Sequence, residues 1–140
     1  MSQDNIANLP AGRELDELIA EKIFGEGKPN YSHVHSNVLS VVWSNEKNWY
    51  CSPDYFTGDV CQWIPKAFSV DISAAQEIIN AITKEHFTWR IESIKTPSKV
   101  KWQAYLYGKL PDGKNVEFSA EADTIPLAVS RVALLKGGGV

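Results

Sequence analysis

Apolar residues recur along this chain in two rhythms, and the rhythm changes near residue 87. Leu15, Leu18, Ile19 and Ile23 return at three- and four-residue spacing, the stripe of an amphipathic helix, and predict one over residues 10–24. Glu14, Asp16, Glu17 and Glu21 are placed on its outer side; acids in its first turns suit the helix dipole, and Gly25 is the stop. Ile72, Ala75, Ile78, Ile79 and Ile82 predict a second helix over 72–85, capped by Ser69 or Asp71 and closed by His86. From residue 87 the spacing becomes two. Three alternating stretches, broken at Thr96-Pro97-Ser98 and Pro111-Asp112-Gly113, predict an antiparallel three-strand meander over 87–121. Its buried face should carry Trp89, Ile91, Trp102, Ala104, Leu106, Val116 and Phe118. A third helix follows over 124–136. Thr124 or Asp123 caps it, Pro126 sits in its first turn, and it is apolar on nearly every side. Such a helix needs a wide apolar surface to lie on. Residues 137–140 form a flexible tail, and residues 1–9 are expected to fray.

Between the first two helices the rhythm is lost. Gly27, Pro29, Asn30, Pro53, Gly58 and Pro65 interrupt any long element across residues 26–68. A short fourth strand over 38–43 is the one regular run there. Tyr31, Trp43, Trp49, Tyr50, Tyr55, Phe56, Trp63 and Phe68 nevertheless crowd the segment, and disordered chains are poor in such residues. It is therefore expected to be an ordered, aromatic-rich excursion within a single domain, 1–140. Helices segregated against an antiparallel sheet make the fold class α+β, a layered sandwich.

The length of 140 residues suits one self-sufficient core. The net charge of −3 argues against a dedicated duplex-DNA binder, so nucleic acid is an unfavoured partner. Charge is uneven: residues 1–26 carry a balance of −4 and residues 84–115 a balance of +4. That pattern fits two solvated faces, or head-to-tail or dimeric self-association. No signal peptide and no membrane-length apolar run is found, so the expected location is cytoplasmic.

Three blocks resemble a known family. Residues 12–25 resemble the opening helix of the phage ABA-sandwich domain family. The run Phe68-Ser69-Val70-Asp71-Ile72-Ser73-Ala74-Ala75 is similar to the start of its second helix, and residues 120–135 to its closing helix. The resemblance implies an α/β sandwich of phage or prophage origin, and it implies no catalytic residue because most members have no assigned activity. Residues 26–66 depart from the pattern, being longer and more aromatic.

Candidate sites fall in two places. Within the excursion, Trp49, Tyr50, Tyr55 and Phe56 suit a ligand pocket or protein interface, or equally a minor core under a long loop. His33, His35, Cys51 and Cys61 are a zinc-type ligand set, but the spacing matches no standard site, and free cysteines with surface histidines explain them better. On the outer sheet face, Arg90, Lys101, Tyr105 and Tyr107 join bases to tyrosines, which can stack nucleobases and hold phosphates. A face covered by the excursion or by a second subunit is the simpler account. Arg131, alone among apolar neighbours in the last helix, is expected to pair with Glu14 or Glu17, or to point into a cleft. No catalytic or phosphate-loop motif occurs. The expectation is a non-enzymatic module that self-associates and binds a host or phage protein. The alternative is the sequestration of a nucleotide-like immune signal, and a nucleic-acid accessory role is weaker still.

Overall fold

The computed structural model describes residues 3–28, 44–46, 48–51, 56–57, 60–61 and 63–137, with side chains over 5–28, 48–49 and 63–137. The elements, in order, are α1 (Gln3–Ala7), α2 (Arg13–Lys22), β1 (Ser44–Glu46), β2 (Trp49–Cys51), β3 (Phe56–Thr57), β4 (Val60–Cys61), β5 (Ile64–Pro65), α3 (Ile72–Thr83), β6 (Thr88–Lys95), β7 (Val100–Lys109), β8 (Asn115–Ala122) and α4 (Ile125–Lys136). The strand expected over 38–43 and the tail past Gly137 lie outside the described residues.

The meander is present as expected, an antiparallel sheet in the order β6-β7-β8. Its register sets Trp89, Leu106 and Phe118 side by side, then Ile91, Ala104 and Ala120, then Ser93, Trp102 and Ala122. Antiparallel partners share a face, so the alternation builds one apolar surface. Across it lies α4, packed on β7 and β8 and flanked by α1, α2 and α3. Eight of its residues are buried: Pro126–Ser130 and Val132–Leu134. Small residues on both layers, Ala104 and Ala120 below and Ala128 and Ala133 above, are buried where the layers meet. The architecture is an α+β sandwich with its core under α4.

The caps fix the helix starts. Thr124 Oγ1 accepts the Leu127 N–H at 3.3 Å, and Pro126 falls in the first turn. Asp71 Oδ1 accepts the N–H groups of Ser73 and Ala74 at 2.7 and 3.4 Å. At the end of α2, Gly25 takes φ +68° and the Glu26 N–H returns to the Ala20 carbonyl at 2.8 Å, a Schellman-type closure.

Four expectations are corrected. Residues 3–7 form a short helix, because Ile6 inserts fully into the core beside α4. The first long helix begins at Arg13, after Gly12 at φ +142°, and the second ends at Thr83, with His86 at φ +67° turning the chain into β6. Asp16 does not face outward. It is 4% exposed and accepts the Ser69 N–H at 2.7 Å, while the Gly12 N–H donates to Ser69 Oγ at 2.9 Å. This clasp joins the start of α2 to the lead-in of α3. Burial raises the Asp16 pKa, and the two Ser69 hydrogen bonds, side-chain and backbone, pull it back.

The described parts of the excursion are ordered: β1, β2 and β5 form a small antiparallel sheet, β3 and β4 pair separately, and β5 packs on α2. Trp49 and Trp63 belong to the core. Asn48 donates from its backbone and side chain to the Glu26 carboxylate at 3.2 and 2.8 Å, and Arg13 donates to the Trp63 carbonyl at 3.0 Å. Among the described residues, no helix is long and apolar enough to cross a membrane.

Candidate functional site: the open face of the meander

The strand period that buries one side of the meander turns the other side outward. Thr88, Arg90 and Glu92 of β6 share this face with Lys101, Gln103, Tyr105, Tyr107 and Lys109 of β7 and with Glu117, Ser119 and Glu121 of β8. Among the described residues, no helix packs on it. The α1–α2 turn reaches its rim, where Ala7 and Asn8 border a cleft of about 520 Å³ with Lys101, Gln103 and Arg131.

At the centre Arg90 lies opposite Tyr105, and Tyr105 opposite Ser119. The guanidinium carbon is 4.2 Å from the Tyr105 ring centroid and 5.7 Å from that of Tyr107. The two rings are 6.2 Å apart and 9° from parallel. A cation over two ring faces is a mutually favourable arrangement that holds all three side chains in one orientation. Desolvation works to lower the Arg90 pKa, but hydrogen bonding with Tyr105 and the nearby Tyr107, Glu92 and Tyr105 outweigh it, so the pKa is raised. Glu92 stands 3.9 Å from Arg90, and Lys101 pairs with Glu121 at 3.3 Å. The bases Arg90, Lys101 and Lys109 are thus matched by the acids Glu92, Glu117 and Glu121. A face balanced in this way presents no polyanion track.

One corner of the face opens into a groove of about 850 Å³, bounded by His86, Thr88, Tyr107, Lys109, Asn115 and Glu117. Gly108 forms part of its wall. A Cβ there would come within 2.4 Å of the Phe87 ring, so glycine at this strand position makes room for that ring. The glycine at an inner-face position of β7, where Trp102, Ala104 and Leu106 precede it, is its trace in the sequence.

The candidate residues separate. Arg90, Tyr105 and Tyr107 converge, and Lys101 joins the same face further along β7. Trp49 is 2% exposed, its indole N–H donating to the Glu26 carbonyl at 2.8 Å, so it packs in the core and offers no surface to a partner. Tyr50, Cys51, Phe56 and Cys61 have strand backbones, but their side chains, like all of Tyr55, His33 and His35, lie outside the described residues. Arg131 pairs with neither Glu14 nor Glu17. It donates to the carbonyls of Leu9 at 2.9 Å and Glu121 at 2.7 Å, because the α1–α2 turn and the end of β8 leave those acceptors beside α4. Burial lowers its pKa, opposed by the Asp123 charge.

Comparison with protein-family models, with curated proteins and with solved structures finds no match. The resemblance of the three blocks to phage ABA-sandwich proteins gains no independent support from those comparisons. The fold stands on the chain's own packing, and the site on its own chemistry.

Proposed function

We propose that this chain is a phage-encoded, non-enzymatic interaction module that docks a protein partner on the open face of the meander. The observation that carries the reading is the Arg90–Tyr105–Tyr107 stack, held on rigid strands away from the helices. Tyrosine and arginine are enriched among residues that dominate protein interfaces, and prior ordering lowers the entropy lost on docking. The balanced charges suit a protein surface of mixed charge better than a nucleic acid, whose binding needs excess base. The phage assignment rests on the resemblance of residues 12–25, 68–75 and 120–135. A photo-crosslinking residue placed at Ser119, beside Tyr105, tests the docking role in the host cell. Discrete adducts should form and disappear in the Tyr105→Ala/Tyr107→Ala variant. If the adducts persist in that folded variant, or none form, the face is not the docking surface.

A second reading has its own observation, the groove beside Tyr107, His86 and Lys109. The Tyr107 ring and the Lys109 ammonium suit the base and phosphate of a nucleotide-like ligand, with Glu85 and Glu117 on the same wall opposing the phosphate, and the chain would then act by sequestering it. A ligand that binds only the folded state raises the melting temperature. A shift with one member of a cyclic and ADP-ribose nucleotide panel, lost in Tyr107→Ala, would favour this reading over the first.

A further inference from the structure

The two edges of the meander are unlike. β8 is occupied near its end by Arg131, whose guanidinium bonds the Glu121 carbonyl, and the α1–α2 turn lies beside it. β6 runs for eight residues, and among the described residues its backbone has no partner beyond β7. An edge of that length is a template for another strand unless charge or shape prevents it. The inner side of β6 is also unfinished. Trp89 and Ile91 are only partly buried at the rim of the core, and among the described residues the buried Trp89 indole N–H has no acceptor. A buried indole donor ordinarily finds one.

We infer that β6 is a self-complementary edge through which two copies of this chain join, antiparallel, into one six-stranded sheet. The order of side chains selects the alignment. A two-fold axis through the sheet keeps both helical layers on one side and pairs residues of equal parity. With Ile91 opposite the partner's Ile91, Arg90 faces the partner's Glu92, and Glu92 faces the partner's Arg90. Trp89 then faces the partner's Ser93 on the apolar side of the joined sheet, where its partly buried ring gains cover. A slip of two residues either way sets Arg90 against the partner's Arg90, or Glu92 against the partner's Glu92. Like charges directly opposite destabilise a strand pair, so one register is favoured over its neighbours. The joined sheet would carry two Arg90–Tyr105–Tyr107 stacks on one open face. The inference stands on the edge and not on that face, so its failure would leave the docking role untouched.

Sedimentation of the full chain up to about 100 µM tests it, with Arg90→Glu, Glu92→Arg and the Arg90→Glu/Glu92→Arg double exchange. Wild type should dimerise reversibly. Each single reversal puts two like-charge pairs across the axis and should weaken the dimer about a hundredfold, and the double exchange should restore it. Circular dichroism confirms that each variant is folded. Amide exchange along β6 should slow as wild-type concentration rises and stay constant in the single variants. A wild-type monomer throughout, a dimer indifferent to single reversal, or a loss that the exchange does not restore overturns the inference. Tyr105→Ala/Tyr107→Ala should keep the dimer, which separates this result from the crosslinking one.

Discussion

Replacing Gly108 by alanine tests whether the strand glycine exists for the Phe87 ring. An added Cβ would stand 2.4, 2.6 and 2.8 Å from Cδ1, Cε1 and Cγ of Phe87. Carbon atoms pack comfortably at about 3.5–4.0 Å, so the ring must retreat by roughly 1 Å. It has little room to do so. Phe87 is 6% exposed, and the Lys136 ammonium, paired with Glu85, sits 5.0 Å from its centroid. Overpacking of this kind costs about 2 kcal/mol, or about 7 °C in melting temperature for a domain of this size. The assay is chemical and thermal denaturation of Gly108→Ala in two backgrounds, native and Phe87→Leu. The shorter leucine can turn away, so alanine at 108 should there be neutral or stabilising by up to about 1 kcal/mol, since glycine weakens a strand interior. The coupling between the two sites should be about 2 kcal/mol. An equal cost in both backgrounds would refute the reasoning, because the loss would then have nothing to do with the ring.

Asp16→Asn keeps an oxygen for the Ser69 N–H and removes a buried charge. The folded pKa of Asp16 is raised, so its stabilising share is present below the unfolded carboxylate value and is lost as pH rises through the folded value. Urea titrations should show wild type losing ground to Asp16→Asn as pH rises above about 4, the unfolded carboxylate value, and a gap that is constant or moves oppositely rejects the assignment. Arg131→Met should cost about 2–3 kcal/mol, because two backbone carbonyls lose a charged donor, and amide exchange should quicken across α1. Thr124→Ala should cost about 1 kcal/mol through the lost cap; denaturation midpoints that match wild type would mean that Pro126 alone fixes the start of α4.

The meander and its inner face were legible because a period of two leaves no choice of side: Trp89, Ile91, Trp102 and Leu106 had to share a face once they shared a sheet. The caps were legible for a similar reason, since Asp71 and Thr124 satisfy donors within three residues. Asp16 was misread because its acceptor role depends on Ser69, 53 residues away, and helical spacing carries no record of that. Arg131 was expected at a carboxylate or in a cleft; it lines a cleft, but backbone carbonyls of Leu9 and Glu121 take its guanidinium, and backbone groups leave no signature in sequence. Of the site, the stack of Arg90, Tyr105 and Tyr107 could be read as co-facial residues. Trp49 could not be separated from them, because an aromatic in an irregular stretch looks the same whether it packs inward or waits for a partner.

The position of α4 in the core also has a consequence in time. α1, α2, α3, β7 and β8 all close on a helix that leaves the ribosome after every one of them. Arg131 bonds Leu9 across 122 residues, an interval of about ten seconds at ordinary synthesis rates. During that interval the apolar faces of α2, α3 and the meander have no shared cover. The helical layer of this domain must therefore close late, once α4 is available, although the meander itself is built from local hairpins. A nascent chain stalled before residue 125 should be protease-sensitive and chaperone-bound throughout, and one stalled with α4 outside the exit tunnel should be protected.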